Sequence, residues 1–176
     1  LVLSFGSVEE IPPVDAAVSI SGFSGGTGTS TNPYLISDVS DLHTLANHVN
    51  SGKSTANTYF KLTTSLDLSG QSLQIGKRSS SGSTYYFDGT FDGGGNVIYN
   101  FSISSSSTYS GYLGLFGYCY GDIKNLRMSG GSVYLTKSYG AGAFVGYLYG
   151  GTIQNCFNLS CSVSTSSNIS GTAYCG

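Results

Sequence analysis

The sequence FGYCYGDIKNLRM, residues 116–128, decides the fold, because related sequences lie before and after it. FDGGGNVIYNFSI precedes it at residues 91–103, and VGYLYGGTIQNCFN, with one additional residue, follows at residues 145–158. A further copy is predicted to begin at Tyr174. Internal repeats of this kind indicate a solenoid, in which each copy is one structural unit.

The alignment places the same two residue types at equivalent positions in the three complete copies. Stacked copies would bury an isoleucine column and let the asparagine amides hydrogen-bond along the axis. The predicted columns are Ile98, Ile123 and Ile153, and Asn100, Asn125 and Asn155. The last two copies also pair Tyr118 with Tyr147, Tyr120 with Tyr149, and Val133 with Val163.

Each copy combines strand-like alternation with glycine-rich corners and lacks a helical pattern. Such a unit cannot bury its apolar face alone, so it must stack on its neighbours. The predicted fold is therefore an all-β, parallel β-helix with one turn per repeat. The alternative is an antiparallel sandwich, with the asparagines in hairpin turns.

The predicted organisation has three parts. Residues 1–24 form an extended N-terminal arm, residues 25–70 a capping segment with a short helix and the first strands, and residues 71–176 the repeats. The apolar stretch Leu1–Phe5 could be the tail of an export signal, a propeptide remnant or a first strand, and we favour the strand.

A helix is predicted at about residues 40–50, where apolar residues recur at helical spacing. Asp38 and Ser40 are its candidate N-terminal caps, and Gly52 ends it. The next stretch, Tyr59–Leu68, alternates as a strand.

Composition limits the function classes. Charged residues make up 9% of the 176 residues and the net charge is -2, which argues against a nucleic-acid partner. The hydrophobic fraction of 39% is too high for a disordered tail. No run approaches the roughly 18 apolar residues that a membrane-spanning helix needs, so membrane insertion is not predicted.

The motif Gly114-Leu115-Phe116-Gly117 resembles the sequence that names the GLUG repeats, and residues 143–146 form a degenerate second copy. The resemblance covers about residues 26–176. It implies a right-handed parallel β-helix with a short capping helix, in secreted or cell-surface proteins that are often adhesin-like. The family's repeats serve as scaffold or display units and carry no catalytic residues.

The four cysteines all lie in the second half of the chain and lack the Cys-x-x-Cys spacing of zinc or redox sites. Disulfides formed in an oxidising compartment are predicted, with three possible pairings; buried free thiols are the alternative. The residues are Cys119, Cys156, Cys161 and Cys175.

Catalytic, metal and cofactor sites are not predicted. Asp88 and Asp92 are a close carboxylate pair near Arg127, as a polysaccharide-cleaving β-helix would need, but each aspartate precedes a glycine and suits a turn. Gly93–Gly95 also suits a corner, because no lysine or helix start follows as in a phosphate site. His43 and His48 lie on different helix faces and lack a third ligand.

Three sequons are candidate N-glycosylation sites if the protein is secreted. Asn168 is the preferred acceptor, because Asn100 is expected inside the stacked column and Asn158 at a second corner.

Tyr118, Tyr120, Tyr147 and Tyr149 are predicted to form a two-by-two lattice, since residues two apart share a strand face. This lattice could contact sugar rings or another protein, or it could only shield the strands beneath. The favoured function is an extracellular adhesion or display module that binds a glycan or protein. The alternative is a filament subunit that joins copies of itself through the arm and open coil ends.

Overall fold

The chain folds as a parallel β-solenoid of about four turns with one short helix, which confirms the predicted fold class. The computed structural model describes residues 16–79, 81–105, 111–136 and 139–166, and the backbone of 174–175. The strands pair in parallel in five sheets, so the antiparallel sandwich is wrong.

The strands are numbered in chain order and grouped here by sheet. Sheet 1 contains β1 (Tyr34–Ile36), β2 (Tyr59–Leu62), β4 (Thr90–Asp92), β9 (Asp122–Lys124) and β14 (Ile153–Gln154). Sheet 2 contains β3 (Leu66–Asp67), β5 (Val97–Tyr99), β10 (Arg127–Ser129) and β15 (Phe157–Asn158). Sheet 3 contains β6 (Ser102–Ser104), β11 (Ser132–Leu135) and β16 (Ser162–Thr165).

The last two sheets complete the circuit. Sheet 4 contains β7 (Tyr112–Leu113), β12 (Gly140–Ala141) and β17 (Tyr174–Cys175), and sheet 5 contains β8 (Phe116–Cys119) and β13 (Val145–Leu148). The turns that begin at β4 and β9 visit the five sheets in order, whereas the earlier turns contribute strands only to sheets 1 and 2. Isolated parallel bridges from Ile75 and Phe87 extend sheet 5 into the preceding turn.

The register of the parallel strands places core side chains of successive turns on top of one another, in columns. In sheet 1, Phe60 pairs with Phe91, Phe91 with Ile123, and Ile123 with Ile153. Phe60, Phe91 and Ile123 are fully buried, whereas Ile153 is 41% exposed because no described strand pairs with its outer edge. The predicted contact between Ile123 and Ile153 is therefore present.

Ile98 does not belong to that column, and the predicted three-isoleucine column is wrong at this position. Ile98 lies in sheet 2, where it pairs with Leu66 and Met128. The copy at residues 91–103 is offset by one strand from the copy at residues 116–128, because Phe91 pairs with Ile123 and not with Phe116.

The offset arises because two different corners of the coil contain the same residue type, asparagine. Asn100, Asn125 and Asn155 all adopt positive φ, at 56°, 54° and 51°. Asparagine tolerates this left-handed conformation better than other residues with a side chain, so different corners select it. Asn125 and Asn155 lie between sheets 1 and 2, whereas Asn100 follows β5 at the next corner, beside Gly130.

Helix α1 (Val39–Asn50) confirms the predicted helix. Asp38 caps it, because its Oδ1 accepts a hydrogen bond from the Asp41 nitrogen at 2.8 Å. Its apolar side packs into the core through Leu42, Leu45, Ala46 and Val49. The helix follows β1 and takes the place of the strands that later turns contribute.

Two other expectations need correction. The single strand predicted over Tyr59–Leu68 is two strands, β2 and β3, which belong to different sheets. The copy predicted to begin at Tyr174 is also displaced, because β17 pairs with β12 in sheet 4, one strand before the equivalent start in sheet 5.

Part of the predicted N-terminal arm lies outside the described residues, including Leu1–Phe5. The described part runs along the first turn without forming a strand. The Val18 nitrogen donates to Thr58 Oγ1 at 2.9 Å, and the Ile20 nitrogen donates to the Tyr34 hydroxyl at 2.7 Å. Residues 16–24 are therefore attached to the solenoid.

Candidate binding surface: the tyrosine face

Sheet 5 presents tyrosines from successive turns on one side of the coil. Tyr118 on β8 pairs in register with Tyr147 on β13, and the ring centroids are 6.3 Å apart. Cys119, the next residue, turns inward and is fully buried. Leu148 follows Tyr147 in the same way but is 40% exposed, because no described strand covers β13 from the following turn.

A second column of rings runs beside this pair. The Tyr120 ring lies 4.5 Å from the Tyr86 ring and 4.5 Å from the Tyr149 ring, centroid to centroid. The three residues come from three successive turns, so the column follows the solenoid axis. Tyr147 and Tyr149 connect the two columns at 6.1 Å.

Tyr112 and Tyr139 extend the cluster towards sheet 4. The Tyr112 ring stacks on Tyr147 at 4.6 Å and meets the edge of Tyr118 at 5.3 Å. Tyr139 lies 5.8 Å from Tyr112. We call the whole cluster the tyrosine face; it consists of Tyr86, Tyr112, Tyr118, Tyr120, Tyr139, Tyr147 and Tyr149.

The seven rings are unequally accessible. Tyr149 is 64% exposed, whereas Tyr118 is only 8% exposed beneath its neighbours. In the column of Tyr86, Tyr120 and Tyr149 the neighbouring rings are tilted by 45° and 33°, and all three residues are exposed at the surface. The Tyr149 ring is therefore the most accessible of the seven.

The close packing of the tyrosine rings also changes the pKa of Tyr120. Burial raises the pKa of Tyr120 above its ordinary value, and the neighbouring Tyr149, Tyr86 and Tyr147 raise it further. The Tyr120 hydroxyl is therefore protonated and able to donate a hydrogen bond at neutral pH.

The sequence prediction found four of the seven tyrosines and the pairing of Tyr118 with Tyr147. It missed Tyr86, Tyr112 and Tyr139, which lie outside the aligned segments. Alternation within one strand could not have found them, because they reach the surface from other strands and corners.

The carboxylates considered for catalysis are held in structural hydrogen bonds. Asp88 accepts from the Ser54 hydroxyl at 2.6 Å, and from the Thr55 nitrogen and hydroxyl at 2.5 and 2.7 Å. Asp92 accepts from the Gly94 nitrogen at 2.9 Å and forms an ion pair with Lys124 at 3.9 Å. Arg127 is exposed in sheet 2, where it pairs in register with Val97.

The asparagine column contains two members. Asn155 Nδ2 donates to Asn125 Oδ1 at 2.7 Å, as the stacked amides predict. Asn100 is not part of this column; its Nδ2 donates to Asp67 Oδ1 at 3.0 Å, and the residue is exposed instead of inside. This corrects both its predicted partner and its predicted burial.

Cys119, Cys156 and Cys161 are free thiols, so the disulfides predicted among them are not formed. Cys119 and Cys161 are buried, and the Cys119 thiol donates to the Gly121 carbonyl at 3.3 Å. These two cysteines occupy small core positions, which is the alternative reading of the sequence. The Cys175 side chain lies outside the described residues.

The sequon asparagines differ in environment. Asn100 is exposed, but its amide is bonded to Asp67. Asn158 is in register with the core residue Met128, and its side chain bonds both the nitrogen and the carbonyl of Cys161 at 2.9 Å. The preferred acceptor, Asn168, lies outside the described residues.

The two histidines make separate contacts. His43 Nε2 lies 3.2 Å from Gln71 Oε1, and His48 Nε2 lies 3.0 Å from the Ser54 carbonyl. In the described part of the chain, no group of three or more His, Cys, Asp or Glu residues could hold a metal ion. Within the same residues, no helix has both the length and the apolar character to cross a membrane.

Comparison with known proteins gives two likenesses, and no protein-family model matches the chain. The chain is 34% identical over 140 residues to a protein of Evansella cellulosilytica named "Putative Gly-rich membrane protein". The match covers 76% of the chain but only 15% of that protein's length.

The second likeness is to a crystal structure described as that of a putative immunoglobulin A1 protease from Bacteroides ovatus. The two structures superpose with a TM-score of 0.46 at 18% sequence identity. The superposition covers 84% of this chain and 66% of the other.

Proposed function

We propose that this chain is a non-enzymatic adhesion or display module of a secreted or cell-surface protein, related to the GLUG-repeat proteins. The observation that carries the proposal is the column of Tyr86, Tyr120 and Tyr149, which runs across three turns with rings 4.5 Å apart. An exposed aromatic surface with hydroxyl groups is typical of contact sites. The tyrosine face is therefore the proposed contact surface.

The partner proposed is a glycan or a protein surface. The exposed rings of this column carry hydroxyl groups, which suit hydrogen bonding to sugar hydroxyls or to a polar protein surface. The Tyr149 ring is the preferred place for a sugar to stack, because it is the most exposed member. The rigid sheet beneath holds the rings in place before the ligand arrives, which reduces the entropy lost on binding.

The test is binding of the purified chain to a glycan array and to immobilised surface proteins. The double variant Tyr120→Ala/Tyr149→Ala should lose at least about tenfold in affinity, as expected for aromatic contact residues. Tyr99→Ala/Tyr134→Ala is the matched control, because those tyrosines are 42% and 40% exposed but lie on sheets 2 and 3. Equal binding by the two double variants would contradict the proposed surface.

Tyr118 is unsuitable for this test despite its central position. Because it is nearly buried, Tyr118→Ala should destabilise the fold by about 3 kcal/mol, as for other large-to-small core changes. A loss of binding in that variant would report unfolding as well as a lost contact.

A second candidate is a subunit of an extracellular filament. It is favoured by the apolar side chains exposed on the turn formed by residues 145–166, where Ile153, Phe157 and Leu159 are 41%, 50% and 60% exposed. Among the described residues, β14, β15 and β16 are also the outer strands of their sheets, and an outer strand is where a strand of another chain can pair. A second copy stacked there would continue the columns.

Electron microscopy and light scattering of the purified chain test this candidate. Concentration-dependent fibres that Ile153→Lys abolishes would support it. Gln154→Lys is the control, since Gln154 is an exposed neighbour outside the core column. Monomers at high concentration would count against a filament and leave the adhesion proposal intact.

A polysaccharide-cleaving enzyme is the third and least supported reading. The hydrogen bonds that hold Asp88 favour a structural role, because they anchor residues 54–55 beside β4. If the reading were correct, a panel of polysaccharides would yield a product that disappears in Asp88→Asn and Asp92→Asn. We expect no product with the unaltered chain.

A further inference from the structure

The rings of Tyr86, Tyr120 and Tyr149 lie against one another at the surface of the solenoid. The ring centroids of Tyr86 and Tyr120 are 4.5 Å apart, and so are those of Tyr120 and Tyr149. The three side chains are 43%, 40% and 64% exposed. Each phenol is therefore in contact with the next phenol of the column and accessible to a reagent in solution.

The backbone holds these rings side by side. The Tyr149 nitrogen donates to the Cys119 carbonyl at 2.9 Å, and the Tyr120 nitrogen donates to the Phe87 carbonyl at 2.7 Å. These two hydrogen bonds join successive turns directly at the tyrosines. Two groups that are fixed next to each other react as if each were present at a very high concentration. The column is therefore suited to a reaction between neighbouring phenols.

Tyr134 shows that exposure alone does not create such a pair. It is 40% exposed, the same fraction as Tyr120. Its neighbours in register on the adjacent strands are Ser104 and Ser164, so the column that contains Tyr134 places serines beside its ring. Tyr134 and Tyr120 thus differ in the neighbouring ring and not in access to solvent.

A covalent bond within the tyrosine column would join successive turns. The described cysteines Cys119, Cys156 and Cys161 are free thiols and form no such link. A cross-link between residues far apart in sequence closes a loop in the unfolded chain and lowers its conformational entropy. A bond between Tyr120 and Tyr149 would act on the solenoid in the same way as a disulfide between turns.

We propose that Tyr120 is a site of oxidative cross-linking, at which its ring is joined to the Tyr149 or the Tyr86 ring as dityrosine. Tyr149 is the preferred partner because it is the more exposed of the two. The oxidant is hydrogen peroxide used by a peroxidase, which removes one electron at a time. The proposal is independent of any partner that the tyrosine face binds.

The reaction balances as follows from the chemistry of phenols. Each ring loses one electron and its hydroxyl proton and becomes a phenoxyl radical. Two radicals on adjacent rings combine at carbons ortho to the oxygen, and the hydrogen on each of these carbons then moves to the oxygen of its own ring. One C–C bond forms and two C–H bonds break. The two electrons and two protons that are released reduce one hydrogen peroxide to two waters.

The test is oxidation of the dilute, folded chain with hydrogen peroxide and a peroxidase, followed by digestion and mass spectrometry. Peptides that contain Tyr120 should be recovered joined to peptides that contain Tyr149 or Tyr86, with a mass lower by two hydrogens than the sum. Their yield should be independent of protein concentration, since both rings belong to one chain. The midpoint of urea unfolding should rise after oxidation.

Tyr120→Phe keeps a ring in the column but cannot form a phenoxyl radical. Both cross-linked peptides should fall at least about tenfold in this variant, and oxidation should no longer raise the urea midpoint. Tyr134→Phe is the matched control and should leave the yield of both peptides unchanged. Tyr149→Phe should remove one peptide and keep the one that joins Tyr120 to Tyr86.

The same oxidation in urea, where the chain is unfolded, separates the effect of the fold from the reactivity of tyrosine itself. The yield of the two peptides should fall at least about tenfold there, because the rings are no longer held together. An equal yield in the folded and unfolded chains would overturn the proposal. So would cross-links of Tyr134 at the same yield as those of Tyr120, or products that join only separate chains.

Discussion

Asn155 lies directly above Asn125 in the next turn, and its Nδ2 donates to Asn125 Oδ1 at 2.7 Å. Asn125 Nδ2 donates in turn to Asp92 Oδ1 at 2.9 Å. Both asparagines have positive φ. One residue type therefore turns the corner and links three successive turns by side-chain hydrogen bonds.

Substitutions at Asn125 should separate these two roles. Asn125→Gly keeps the positive φ and loses the amide, so we expect a loss of about 1 kcal/mol in the free energy of unfolding. Asn125→Ala loses the amide and must also adopt a left-handed conformation, which adds about 1 kcal/mol. Urea unfolding measures both, and equal losses in the two variants would contradict the role of the backbone conformation.

We expect Gly121 to tolerate no side chain. A Cβ on Gly121 would overlap the Gly89 backbone and would lie 2.8 Å from the Gly89 nitrogen. Gly121→Ala should destabilise the protein by about 2 kcal/mol through overpacking. Gly150→Ala is the control, since its Cβ would lie 3.6 Å from the Tyr120 carbonyl oxygen, and it should change stability by less than about 0.5 kcal/mol. Thermal unfolding of the two variants compares them directly.

Protonation of Asp41 in acid should lower the free energy of unfolding. Burial would raise the pKa of its carboxyl, but hydrogen bonds from Ser37 and Ser24 hold the pKa below its ordinary value of 3.8. The stabilisation is therefore present above about pH 4 and is lost as the pH falls through the lower folded pKa.

Asp41→Asn should lower stability by about 2 kcal/mol at neutral pH, since the charged hydrogen bonds are lost. Urea unfolding between pH 2 and 7 should show the two proteins converging as the pH falls. A constant difference across that range would contradict the role of the charge.

Cys119 should resist alkylation in the folded protein. Burial raises the pKa of its thiol to about 12, and the thiolate is the reactive form. With iodoacetamide at pH 8, mass spectrometry should find the partly exposed Cys156 modified first and Cys119 modified only after unfolding. Equal rates for the two thiols in the native protein would contradict this prediction.

The raised pKa of Cys119 also predicts that the stability of the fold depends on pH in the alkaline range. Since the neutral thiol is favoured in the fold, its contribution to stability is complete below about pH 9 and declines as the pH rises towards 12. Cys119→Ser, compared at pH 8 and pH 11, should lose less stability relative to the native protein at the higher pH.

The tyrosine prediction shows what repeated sequence can reveal. Tyr118 and Tyr147 occupy equivalent positions in two copies of similar spacing, so their contact followed from alignment alone. Tyr86 reaches Tyr120 from a turn without a matching motif. Only the path of the chain around the coil brings these two rings together.

The sequence by itself determined that this chain is a coil of parallel strands with a capped helix near its start, because periodicity, capping residues and repeats are local properties. Tertiary structure decided which strand lies on which. Ile98 and Ile123 occur in similar local sequences but lie in different sheets, since two corners of the coil both require a left-handed residue and asparagine serves at each. Likewise, only packing decided that Cys119 is a buried free thiol, because the distance between cysteines depends on the turns around them.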